Sequence, residues 1–183
     1  MNIYFLSSNE YKIREVKTIL DSEKITVLPV TQKINEIQSN NMEEIATDKA
    51  IKAFISIGRP ILVEQTGLLL NDFGKLPGGL TQIFWDSLQA DNFSRYFSSD
   101  SLNVIAKTVV AFCDGKQIKT FEGEIQGTIV RFPRGNRDFQ WDCVFQPDTY
   151  DKTFAEMGEQ KNTISMRKIA LEKLRNYLED SYE

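Results

Sequence analysis

The chain has 183 residues, 41% hydrophobic and 26% charged, with a formal net charge of −4 and no histidine. It fits one domain over residues 1–183, long enough to bury about 70% of the surface its unfolded form exposes, and no apolar run approaches the ~18 residues of a membrane span. The acidic balance speaks against duplex nucleic acid as a partner, and the missing histidine removes imidazole metal sites and Ser–His triads, so any chemistry falls to carboxylates, lysines, arginines and a metal.

Ile3 to Leu6 reads as a short strand; with no basic residue before it and too short an apolar stretch for a secretory leader, it points to the cytoplasm. The polar turn Ser7-Ser8-Asn9 follows, then a helix with Ile13, Val16, Ile19 and Leu20 on one face. Lys24 to Val30 is a second strand, and Met42 to Ile57 an amphipathic helix entered through a polar loop that carries Glu36. Ile61 to Val63 and Leu68 to Leu70 read as two short buried strands around a turn at Glu64. The breaker Leu76-Pro77-Gly78-Gly79 precedes an aromatic-rich helix from Ile83 to Phe97.

From Val104 the pattern becomes β: Val104 to Phe112, an Asp114-Gly115 turn, then Gln117 to Val130, a hairpin. Residues 131–147 are rich in Pro, Gly, Arg and aromatics, and a last helix runs from about Asn162 to Leu178. Cys113 and Cys143 lie in apolar settings without metal-ligand spacing, as reduced buried thiols do. The order predicts an α/β fold with a mixed sheet and a loop-lined cleft.

Several loops carry chemistry. Ser7, Asn9 and Lys12 sit where a strand meets a helix start, a place that suits phosphate as well as a plain N-cap. Glu36 and Glu64 are acids of the kind that bind magnesium, or ordinary solvated loop residues. Phe139-Gln140-Trp141-Asp142 sets two aromatics around an amide and ahead of a carboxylate, which fits a stacked base or core packing. Lys161, Met166 and Arg167 flank the last helix start, where the two cations suit phosphate or base.

Taken in order, Ser7-x-Asn9-x-x-Lys12, Glu36, Lys49, Leu62-Val63-Glu64-x-Thr66-Gly67, Leu76-Pro77-Gly78, Pro133-Arg134-Gly135, Phe139-x-Trp141-Asp142, Thr153-Phe154-Ala155-Glu156-Met157, Lys161-Asn162 and Ser165-x-Arg167 make a specific set over nearly the whole chain. The set resembles the inosine triphosphate pyrophosphatase family, which hydrolyses deaminated purine nucleoside triphosphates to monophosphate and pyrophosphate. That resemblance implies an elongated mixed β-sheet flanked by helices, of the Maf/Ham type, with a central nucleotide cleft. By position, it implies that Ser7, Asn9, Lys12 and Lys49 hold the triphosphate and that Glu36 and Glu64 bind Mg2+. Phe139 and Trp141 would frame the purine, with Gln140, Asp142, Lys161, Met166 and Arg167 completing the nucleoside pocket and Arg167 directed at the 6-keto oxygen. Glu64, Lys49 and the Gln65 position would form the catalytic centre.

Five positions depart from that pattern: Gln65 stands where the family carries aspartate, Met166 where it carries histidine, Gln82 near a basic residue, Gln140 at a glycine and Cys143 at a proline. A glutamine amide cannot take a proton from water. Two readings follow: a catalytically impaired sensor or regulatory subunit that binds dITP, ITP or XTP, acting on an effector protein as in bacterial anti-phage systems, or an active pyrophosphatase in which Glu36, Glu64 or Asp72 activates water. The family's habit implies a homodimer, for which Phe84, Trp85, Phe93 and Phe97 could supply either interface or core.

Overall fold

A computed structural model describes residues 1–98 and 103–181. One six-stranded sheet runs through it in the order β2-β1-β3-β4-β5-β6. The strands are β1 (Asn2–Leu6), β2 (Thr26–Val30), β3 (Ile61–Leu70), β4 (Val104–Cys113), β5 (Ile118–Ile129) and β6 (Phe145–Pro147). β1 pairs in parallel with β2 and β3, and every later pairing is antiparallel, so the sheet is mixed as the βαβα opening and the later hairpin predict. At the β4–β5 turn the Asp114 carboxylate accepts from the backbone N–H groups of Lys116 and Gln117, and Gly115 takes φ +90°.

Five helices flank the sheet: α1 (Glu10–Leu20), α2 (Met42–Ile57), α3 (Thr81–Phe97), α4 (Phe154–Met157) and α5 (Met166–Ser181). Asn9 and Asn41 cap α1 and α2 through their side-chain oxygens, and Thr153 with Glu156 forms a capping box on α4. α1 and α5 pack on one face, where Val16, Leu20, Leu171 and Leu174 meet Ile3, Phe5, Leu62 and Val110. α2 covers the other face with Met42, Ala46, Ala50 and Ala53 over Ile61, Val63 and Val109. A third cluster at the far end gathers Leu68, Trp85, Phe93, Trp141, Phe145 and Phe154.

Three expectations change. The turn at Glu64 is absent: β3 is a continuous ten-residue strand, and Glu64 and Gln65 lie in its middle opposite Val110 and Val109. Its polar centre mimics a turn, but pairing with β4 along its whole length holds the chain extended. Trp85 and Phe93 are core, with Phe84 and Phe97 packed against them, which withdraws the aromatic segment as an interface. β6 forms at the end of residues 131–147, a stretch whose composition marks no strand, and α4 follows it.

α5 reaches the sheet by touching β5 at Gly123. A Cβ there would stand 1.8 Å from the carbonyl oxygen of Met166 and 2.9 Å from the nitrogen of Ala170, both backbone atoms. Replacing Gly123 with alanine is expected to destabilise the fold by about 2–3 kcal/mol through overpacking. Urea unfolding would report this as a lower midpoint at unchanged slope.

Candidate active site

Alternation along β3 sends neighbouring side chains to opposite faces. Leu62 packs with α1 and α5 and Val63 with α2, so Glu64 points to the α1–α5 side and Gln65 to the α2 side. The two residues that the sequence places side by side in one suspected metal turn therefore serve different surroundings.

Glu64 is 7% exposed and meets two cations. Arg167, from the first turn of α5, donates Nε to Oε2 at 2.7 Å and Nη2 to Oε1 at 3.3 Å, and Lys12 Nζ of α1 lies 2.7 Å from Oε1. Glu15, one turn after Lys12 on α1, accepts from Arg167 Nη1 at 2.7 Å and from Ser165 Oγ at 3.0 Å. Ser165 in turn caps α5 by accepting from Lys168 N. Two carboxylates thus balance two cations, and Arg167, itself 3% exposed, uses three of its five N–H donors on them. Burial works to raise the Glu64 pKa, but the charges and hydrogen bonds of Arg167 and Lys12 outweigh it and hold the carboxyl far below the usual range. Burial likewise opposes the charge of Arg167, and Glu64 and Glu15 overcome it.

In this structure Glu64 serves as a counter-ion. Its oxygens already accept three donors from two cations, and a divalent ion would add positive charge beside both. Among the described residues no group of three or more His, Cys, Asp or Glu side chains is arranged to hold a metal.

On the α2 side, Lys49 Nζ lies 2.5 Å from Glu36 Oε1, and the Glu36 side chain is 44% exposed. Gln65 Nε2 donates to the carbonyl of Gly79 at 3.3 Å. Gly78 and Gly79 approach the backbone of Ser39 and Asn40 so closely that a Cβ on either would clash, so this loop is pinned in place. Asp72 lies in an exposed 3-10 turn just past the end of β3. At the start of α1, Asn9 Oδ1 accepts from Lys12 N and Ser7 Oγ accepts from Asn9 N, so both side chains order the turn while the Ser7 hydroxyl proton remains available.

The nucleoside candidates divide. Asp142 and Lys161 form a buried pair at 2.5 Å; burial is the leading cause in both, raising Asp142 and lowering Lys161 against their mutual attraction. Lys161 Nζ also lies 4.7 Å from the centroid of the half-buried Phe139 ring. Trp141, at 2% exposure, packs its ring against Phe145 and Phe154 in the core. Met166 is buried in the same cluster. Gln140 takes φ +43° and donates Nε2 to Gln82 Oε1 of α3 at 2.8 Å; Arg137 adds a bidentate pair to Asp91 of α3. The loop that carries Phe139 and Asp142 is thereby tied to α3 at two points.

Residues 3–177 match the Ham1 family. The chain belongs to the Ham1 family. It is 36% identical over 185 residues to the inosine triphosphate pyrophosphatase of Kluyveromyces lactis, covering 96% of this chain and 95% of that one. Identity is 32% over 178 residues to the dITP/XTP pyrophosphatase of Hyperthermus butylicus, at 96% and 94% coverage. The structure of a HAM1 protein from Coxiella burnetii superposes with a TM-score of 0.79 at 25% identity, over 99% of this chain and 100% of that one. Membership in the Ham1 family and the mixed sheet are thus as the motif order implies. Glu15 was not among the sequence candidates; its signal is an acid three residues after Lys12, on the same helical face and beside the apolar stripe.

Because the folded pKa of Glu64 lies below its unfolded value, its stabilisation is fully present above about pH 4.3 and is lost progressively as pH falls towards the folded value. Glu64→Gln should cost about 3–5 kcal/mol at neutral pH, since it strands part of a buried charge. The same variant should flatten the decline in stability below about pH 4, measured by denaturant unfolding across pH.

Proposed function

We propose that this chain binds deaminated purine nucleoside triphosphates, dITP, ITP or XTP, together with magnesium, and hydrolyses them poorly or not at all. The observation that carries the proposal is Gln65: at the centre of β3 its neutral amide donates to Gly79, where a water-activating carboxylate would otherwise face the α2 side. Loss of a general base costs roughly 10²- to 10⁴-fold. In support, the Ham1 relatives quoted above carry names that specify these substrates.

In this reading Ser7, Asn9, Lys12 and Lys49 receive the triphosphate. The phosphates compete with Glu64 for Lys12 and with Glu36 for Lys49, trading one anionic partner for another. Magnesium arrives with the nucleotide and needs only one or two protein carboxylates beside phosphate oxygens. Glu36, half exposed and paired with Lys49 alone among the described residues, fits that part more readily than Glu64, which stays paired with Arg167 after Lys12 turns to phosphate. The metal's contribution is to neutralise phosphate charge. Arg167 keeps two N–H donors free of Glu15 and Glu64, enough for a 6-keto oxygen, and an adenine amine would leave them unpaired. At 3% exposure the guanidinium is reached only once covering side chains are displaced. Phe139 then offers the ring face, and the Asp142–Lys161 pair the polar edge. A sensor built this way would act through a homodimer or an effector protein.

The second reading is an active pyrophosphatase. It is favoured by whole-length similarity to proteins named as such, and it would rest on Glu36, because Glu64 is saturated and Asp72 is exposed beyond the end of β3.

Calorimetry with dITP and dATP in magnesium, run beside a pyrophosphate-release assay, separates the outcomes. The proposal expects binding of dITP at least about 100-fold tighter than dATP, with little pyrophosphate formed. No heat with dITP at high micromolar concentration would refute nucleotide binding, and rapid pyrophosphate release would select the second reading.

A further inference from the structure

Away from the cleft, a concavity of about 740 Å³ opens between the C-terminal end of α3 and the segment joining β5 to β6. Arg95 comes from α3, Arg131 and Arg134 from the joining segment, and Phe132 and Thr128 complete the wall. Among the described residues that line it there is no acid. Arg134 is fixed in place, its Nη2 donating to Gln146 Oε1 at 2.7 Å and to the Asp151 carbonyl at 3.1 Å, with Nε 3.3 Å from Glu156. Arg95 and Arg131 have no carboxylate partner among the described residues; Arg131 lies with its guanidinium 6.0 Å from the centroid of Phe132, a ring left 73% exposed. In a chain with 26 acidic and 22 basic residues, two guanidiniums without a carboxylate partner among the described residues, beside a third that is held by Glu156, are not the by-product of a basic surface. An anion placed there would meet cationic donors from both walls.

We propose that this hollow is a second binding site, for a small phosphate-bearing ligand, separate from the cleft. Arginine forks match phosphate oxygens in pairs, and two of these three forks have no competing acid. The volume falls within the range of small-molecule sites, roughly 300–1,000 Å³, and the acidic net charge disfavours a long polyanion. Phe132, with Arg131 beside it, offers a flat face on which a nucleobase would stack. The phosphate can come from a nucleoside monophosphate or from free pyrophosphate. Neither source requires that the cleft bind triphosphates.

The test is to titrate full-length protein at 0.15 M salt with inosine monophosphate and, separately, with inorganic pyrophosphate. The arginine side-chain N–H resonances are followed by NMR and affinities by calorimetry. Both ligands should shift the Arg95 and Arg131 signals saturably, and Arg95→Ala/Arg131→Ala should weaken that binding by about tenfold or more. Tighter binding of the monophosphate, lost in Phe132→Ala, identifies a nucleotide as the source; tighter binding of pyrophosphate identifies the free anion. The proposal is overturned if neither ligand moves these resonances or if the double variant binds as well as the parent. It is equally overturned if the signals respond to protein concentration alone, which would make the face a contact between copies of the chain.

Discussion

A guanidinium with almost no access to water, held between two carboxylates, organises this molecule. Arg167 alone at that depth would be prohibitively costly, and Glu15 and Glu64 without it would be buried carboxylates short of a counter-ion. Together with Lys12 they sum to neutrality and satisfy one another, which lets α1, α5 and the middle of β3 converge on a single point. Gly123 is the packing counterpart: without a side chain on β5, the first turn of α5 comes close enough to deliver Arg167. Lys12, near the start of α1, and Arg167, in the first turn of α5, both use Glu64 as counter-ion. β3 therefore joins α1 and α5 through one carboxylate.

Much of the fold was legible because its signals are local. Apolar periodicity marked α1 and α2, caps fixed their starts, and Asp114-Gly115 announced the hairpin. What was not legible depends on distant partners. The run Glu64-Gln65-Thr66-Gly67 is polar enough to read as a turn, and only pairing to β4 and burial of Glu64 against two helices keep it a strand. Trp141 and Phe139 look alike in sequence, yet the tight turn at Gln140 and Trp141 sends one ring into the core beside Phe145 and leaves the other half-buried against Lys161. Glu15 looked like any helical acid; its role follows from Arg167 and Ser165, about 150 residues away.

The positions that depart from the expected pattern also interact with the rest of the cleft. Gln140 occupies a left-handed conformation that favours glycine, and its amide bridges to Gln82. With the Arg137–Asp91 pair, that bridge fixes the loop that carries Phe139 and Asp142 against α3. Gln65, likewise, bonds to the glycine loop that precedes α3. Three glutamines thus tie α3 and the glycine loop before it to β3 and to the Phe139 loop through neutral amides.

Single-turnover pyrophosphate release from dITP in magnesium, compared between the parent chain and Gln65→Asp, addresses the missing carboxylate directly. A cleft that still orders the triphosphate and lacks only its base should gain about 10²-fold or more in rate with dITP affinity little changed. A parent chain that already turns over rapidly, or a Gln65→Asp variant no faster than its parent, would contradict the assignment of Gln65 as the residue that limits hydrolysis.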